Sequence, residues 1–202
     1  MKKSAFTMLE LVFVIVVVGI LSVVFIPKFE RDNAGEAAYQ IARHIRLAQH
    51  YALVDDKFEN GTSDWKGKMW AITFRTSKNC YAVYSNLDYP TGTQAELSES
   101  AIDPLTRKRL YSDTNCNEST ASTKDILLWK SFGVDNTSMA GCGNNNQILF
   151  DNLGRPYGSV GSLLTGNCVI TIHTNDNHSA EITVYKETGF VKVTKIDTTT
   201  LP

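Results

Sequence analysis

The feature that most constrains this chain is an unbroken apolar run near its start. From Phe6 to Ile26 there are 21 residues with one charge, Glu10, and no Lys or Arg. At a helical rise of about 1.5 Å per residue the run reaches roughly 31 Å, enough for a hydrocarbon core of about 30 Å. Lys2 and Lys3 lie on its N-terminal side, which predicts that end in the cytoplasm and the body outside. The run is longer than the h-region of a secretory signal peptide, about 7–15 residues, and no small-residue cleavage site follows it at Phe25-Ile26-Pro27-Lys28. A plain anchor explains length and flanks but gives no reason for Glu10. A carboxylate inside a membrane helix costs about 2.5–3.5 kcal/mol and usually has a partner or a function.

The rest of the chain reads as a polar, ordinary body. With 202 residues, 43% hydrophobic and 20% charged, there is room for one domain plus an appendage, and low-complexity or wholly disordered readings are excluded. A formal charge of −1, from 20 basic against 21 acidic residues, provides no global field for nucleic acid.

After Pro27 the pattern becomes amphipathic. Ala34, Ala37, Ile41, Ile45, Ala48 and Ala52 recur at steps of three and four, predicting a helix to about Val54 that lays its stripe on a sheet. Asn33-Ala34-Gly35 marks a kink or a fresh N-cap in an otherwise continuous helix. His44 and His50, six apart, do not share a ligand face and are expected on the surface. Beyond Gly61 strand signals appear at Trp70–Phe74, Cys80–Tyr84, Ile126–Phe132, Gln147–Asp151, Cys168–His173, Ala180–Lys186 and Phe190–Lys195. Glu187-Thr188-Gly189 forms the turn of the last hairpin. The expectation is α+β, a long N-terminal helix, transmembrane then amphipathic, on a mostly antiparallel sheet. The polar stretch from Asn86 to Lys124 is long for a connection and needs bracing.

Cys80, Cys116, Cys142 and Cys168 contain no C-x-x-C pair and match no zinc spacing. In an exported body an even count reads as two disulfides, and four cysteines allow three connectivities. Cys80–Cys116 with Cys142–Cys168 is favoured, since each closes a loop-bearing segment between strand signals, a closure worth about 3–4 kcal/mol. No nucleophile elbow, phosphate loop, zinc-protease or dinucleotide motif appears, so no enzyme, no cofactor and no metal is expected. His173 and His178 flank an expected turn, and the Asn-rich Gly143–Asn146 and Asp151-Asn152 segments read as turns rather than calcium ligands. Trp70, Tyr81, Tyr84 and Trp129 are expected in the core or on a sheet face.

Lys2-Lys3-Ser4-Ala5-Phe6-Thr7-Met8-Leu9-Glu10-Leu11 resembles the cleavage signal of the type IV pilin and pseudopilin families. The resemblance implies that a prepilin peptidase cuts between Ala5 and Phe6 and methylates the Phe6 amine. Ala5 departs from the Gly usual before the cut, though both are small. Pro27 falls where the family often carries a helix-perturbing proline. Glu10 would then pair with the amine of a neighbouring subunit during assembly, with Gly19 and Ser22 permitting close helix approach. A second stretch, Ile148–Arg155 with Ile182–Tyr185 and Gly189–Val193, looks like the minor pseudopilin H family.

The organisation these readings imply is a leader at 1–5, a transmembrane helix at 6–27, an amphipathic continuation at 28–56 and a periplasmic β-rich domain at 57–202. The function implied is a minor pseudopilin of a type II secretion or type IV pilus-type filament. Its partners would be the peptidase, other pilins of the same filament and the inner membrane, which it would cross once. The alternative is a pilin-like DNA-binding subunit of a competence apparatus. Against nucleic acid as a partner, Phe190 stands where a basic residue would help, and loss of Lys2 and Lys3 takes the charge from −1 to −3. Arg107-Lys108-Arg109 reads as solvated surface.

Overall fold

The computed structural model describes residues 7–25, 32–91, 96–143 and 145–197. They fall into two compact units, Met1–Arg31 and Asp32–Pro202. In the first, α1 runs over Met8–Phe25, 18 residues in which the Leu11 N–H donates to the Thr7 carbonyl at 3.2 Å. That length corresponds to about 27 Å. Among the described residues no helix is long and apolar enough to cross a membrane. Of the expected span 6–27, Phe6, Ile26 and Pro27 lie outside the described residues.

In the second unit α2 spans Asn33–Val54 and has a start of its own. Asp32 is the N-cap, and its Oδ1 accepts the Gly35 N–H at 2.8 Å. A Cβ on Gly35 would sit 2.1 Å from that carboxylate, so glycine leaves the cap the room it needs. Every residue of the expected stripe is buried, and Ala38 and Ala42 join it. Ile41 and Ile45, fully buried, contribute about 1.5–3 kcal/mol each.

Two sheets rather than one flank this helix. The first has five strands in the order β2-β1-β4-β5-β6: β1 (Trp70–Arg75), β2 (Cys80–Ser85), β4 (Gln147–Phe150), β5 (Pro156–Ser159) and β6 (Ser162–Leu163). The second has four in the order β3-β7-β8-β9: β3 (Val134–Ala140), β7 (Cys168–Thr174), β8 (Ser179–Val184) and β9 (Val191–Asp197). Each ladder is antiparallel. α2 packs against strands of both sheets. Ile72, Phe74, Tyr81, Val83, Ile148 and Phe150 of the first sheet share one core with Ile170, Ile172, Ile182 and Val184 of the second.

The expected strand at Ile126–Phe132 is instead a 3-10 turn, Lys124–Ile126, followed by the short helix α3, Leu128–Ser131. Its apolar run is buried at Ile126, Leu127 and Leu128, and burial of so short a run does not distinguish strand from helix. Trp129, expected in the core or on a sheet face, is half-exposed on α3.

The polar stretch after β2 is braced along its length. Val83 accepts from the Ala101 N–H and donates to the Leu110 carbonyl, at 2.9 and 2.8 Å. Arg109 bridges to both Ile102 and Ser122. At the far end of α2, Gln49 Nε2 donates to the carbonyls of Gly154 and Thr188, each at 2.8 Å. One amide thus ties the β4–β5 turn and the final hairpin to the helix. Gly189 closes that hairpin at φ +67, and an added Cβ would lie 2.6 Å from both Gln49 Nε2 and the Gly154 carbonyl.

Candidate functional site

Ala5 and Phe6, the expected cleavage and methylation residues, lie outside the described residues. Glu10 is described, in the first turn of α1. Its backbone N–H donates to Thr7 Oγ1 at 3.3 Å. Thr7-Met8-Leu9-Glu10 therefore has half of a capping box, a local role for these residues that the sequence analysis passed over. A carboxylate in the first turn also complements the positive end of the helix dipole. The large apolar side chains of α1 from Met8 to Leu21 are exposed, apart from half-buried Val17, and form an apolar surface with one charge. Gly19 has open space where a Cβ would stand, and Ser22 Oγ donates to the Val18 carbonyl at 2.7 Å.

One polar cluster was not expected. His44, assigned to the surface from sequence, is fully buried, while His50 is exposed. The reason is positional: His44 follows Ile41 by three residues and precedes Ala48 by four, so it falls inside the apolar stripe. Its Nδ1 lies 2.6 Å from the Tyr81 hydroxyl and its Nε2 lies 3.0 Å from an Arg43 guanidinium nitrogen. A guanidinium only donates, so Nε2 accepts, the ring proton sits on Nδ1, and that N–H donates to Tyr81. Burial first, then the Arg43 charge, lowers the His44 pKa to about 4, against a smaller opposing pull from Asp103. Burial likewise raises the Tyr81 hydroxyl well above its ordinary value.

Asp103 faces the same cluster, 3.7 Å from Arg43 and 3.9 Å from His44 Nε2. Burial pushes its carboxyl up, but hydrogen bonds from the Leu105 N–H and Thr106, with the Arg43 charge, prevail and hold it below the usual carboxylate value. The group pins the 101–110 loop to α2. Its imidazole is neutral and held by an arginine, so the group acts as a clamp between α2 and the loop.

The cysteines pair as Cys80–Cys116 and Cys142–Cys168, and all four are buried. Cys80–Cys116 anchors the braced loop to β2. Native protein is expected to show no alkylatable thiol by intact mass, with all four exposed after reduction in denaturant; two or more thiols labelled without reduction would contradict the pairing.

Arg107 and Lys108 are exposed, but Arg109 turns inward and donates to the carbonyls of Ser98 and Ser100 at 3.0 and 2.6 Å. The basic run thus has one structural member. His178 is buried in the turn after β7 and His173 is exposed. Asp151 is buried and accepts from the Leu153 and Arg155 N–H groups and from the Arg155 guanidinium. Among the described residues no group of three His, Cys, Asp or Glu could hold a metal ion.

No protein-family model matches the chain, and no curated protein matches it significantly. Among solved structures it is similar to the minor pseudopilin EpsH from the Type 2 Secretion System of Vibrio cholerae. The two share 11% identity over 80% of this chain and 96% of that one, with a TM-score of 0.43. A likeness this loose says nothing about what the chain does.

Proposed function

We propose that the chain is a minor pseudopilin or pilin-like structural subunit of a type II secretion or type IV pilus-type filament. On this reading a prepilin peptidase cuts between Ala5 and Phe6 and methylates the new amine. The product stays in the inner membrane with its globular unit in the periplasm until neighbouring subunits recruit it.

The observation that carries the reading is the N-terminal segment: two lysines, Phe6, Glu10 and an apolar run through Ile26. What supports it further is an α1 that exposes apolar side chains together with a lone acidic one. Such a helix needs lipid or other helices around it, because exposed apolar surface on that scale is unfavourable in water. The work proposed is assembly by helix packing, with Glu10 as the register device. The two disulfides suit an oxidising compartment.

Protein purified from membranes is expected to begin at Phe6 with a methylated amine, as read by N-terminal mass spectrometry. An intact Met1, or a cut after Pro27, would remove the filament reading.

A further inference from the structure

We infer that Asn60 is a site of slow self-modification, its side-chain amide being exchanged for a carboxylate through a cyclic imide with the Gly61 backbone. Asn60-Gly61 lies in the turn that follows α2 and is the one Asn-Gly step in the chain. Asn60, Gly61, Thr62 and Ser63 are all exposed. Among the described residues, 59–62 make no backbone hydrogen bond. Their flanks are held: the Phe58 N–H donates to Asp56 Oδ1 at 2.7 Å, and the Lys66 N–H to the Ser63 carbonyl at 3.1 Å.

The reaction needs an attacking nitrogen that is not tied up, access for base, and an uncrowded approach. Gly61 stands at φ +90, with no heavy atom within 4 Å of where a Cβ would be. Once hydroxide takes the Gly61 amide proton, that nitrogen attacks Asn60 Cγ. A C–N bond forms and the side-chain nitrogen leaves as ammonia. Water then opens the imide on one side or the other. Breaking the new C–N bond leaves aspartate; breaking the original peptide bond leaves isoaspartate, whose backbone runs through Cγ. The sum is a gain of water and a loss of ammonia, with nothing oxidised or reduced.

Other asparagines are restrained. Asn33 Nδ2 donates to Asp176 at 3.4 Å, Asn79 Nδ2 to the Asp135 carbonyl at 2.8 Å, Asn117 Nδ2 to Asp113 at 2.8 Å and Asn146 Nδ2 to Thr76 at 3.3 Å. Each is followed by a residue with a side chain, which crowds the attacking nitrogen. No such bond reaches the Asn60 amide among the described residues. The product takes the formal charge of the chain from −1 to −2. It does so in a stretch where Asp55, Asp56, Glu59 and Asp64 already outnumber Lys57 and Lys66. An exposed turn absorbs the longer isoaspartyl backbone without disturbing the core, so the mark accumulates on folded protein.

The test incubates the full chain in detergent at about pH 6 and about pH 8, then maps it by trypsin digestion and mass spectrometry. Cleavage after Lys57 and Lys66 releases the peptide 58–66, in which Asn60 is the only carboxamide. A synthetic peptide of that sequence, incubated alongside, sets the rate of an Asn-Gly step without a fold around it. The folded chain is expected to convert within about tenfold of the peptide's rate, and faster at the higher pH. Two products of equal mass should appear, one of them a substrate for an isoaspartyl methyltransferase. Asn33, Asn79, Asn117 and Asn146 should convert at least about tenfold more slowly than Asn60. Asn60→Gln should yield neither product at this position, since its longer side chain would have to close a larger ring. Near-UV circular dichroism establishes that the aged protein keeps native packing. A folded chain more than about tenfold slower than the peptide would overturn the inference, as would another of these asparagines converting as fast as Asn60.

Discussion

If the proposed filament reading holds, replacing Glu10 by Ala will leave the protein inserted and cut before Phe6, yet its recovery with neighbouring subunits will fall about a hundredfold or more. The change removes the only charge from the apolar run, so insertion is unharmed or slightly easier. On the filament reading the loss comes at assembly. A neighbour's Phe6 amine would be drawn into an apolar bundle without its carboxylate, and breaking a buried pair from one side costs about 3–5 kcal/mol. The capping geometry at Thr7 offers a competing account, in which Glu10 serves only the start of its own helix. Glu10→Gln separates the two, since glutamine completes a capping box but brings no charge. Pairing predicts that Gln fails as Ala does; capping predicts that Gln is silent. The measurement is crosslinking and co-purification with partner pilins from membranes. Equal recovery with wild type and both variants would show that the pairing is not at work here.

Unfolding stability of the globular unit will drop by about 3 kcal/mol as pH falls from 6.5 to 4, and His44 will be the cause. The imidazole titrates near 6.5 when the chain is unfolded and near 4 when folded. Above 6.5 both states hold it neutral and its full contribution is present. Between the two values the unfolded chain takes up a proton that the folded one refuses, so stability declines as acid is added. Below about 4 both are protonated and the decline from this group stops. Asp55, Asp103, Asp113 and Asp176 have pKa values lowered from 3.8, so their losses begin near the lower end of that window. The upper part of the slope therefore isolates His44. In His44→Gln the amide oxygen can still accept from Arg43 and its NH2 donate to Tyr81, but nothing titrates. Urea unfolding of the full chain in detergent, followed by tryptophan fluorescence, should show a flat profile for the variant. A wild type equally stable at pH 6.5 and 5, or a variant with the same slope, would refute the assignment.

The helix that organises the globular unit was legible from its alanines and isoleucines, since burial at steps of three and four follows from helix geometry alone. His44 was missed because a polar residue type outweighed its place in that same stripe. Counting its spacing from Ile41 and Ala48 would have put it in the core, where it needs partners. Tyr81 and Arg43 supply them from positions that no local pattern connects. The strands with alternating apolar residues, β1, β7 and β8, announced themselves. β3 did not: Val-Asp-Asn-Thr-Ser-Met-Ala is mostly exposed and forms an edge held by backbone bonds to β7. β5 opens on Pro156 and contains Gly158, residue types that weaken a strand signal, although Pro is tolerated at a strand's first position. The division into two sheets was beyond reach, because pairing is settled by long-range packing rather than by local sequence. At the N-terminus the opposite holds: the recognisable features of residues 1–6 belong to sequence alone.

The two sulfur bridges bear on how this protein would survive outside the cell's reducing interior. Cys80–Cys116 encloses most of the irregular stretch after β2, including exposed Leu105 and Lys108, and Cys142–Cys168 encloses exposed Leu153 and Gly161. Exposed loops of this kind are where extracellular proteases cut first. A single nick inside either ring leaves both halves covalently joined, and the shared core around α2 still holds them in register. The chain can therefore be clipped within either of these rings and remain one molecule.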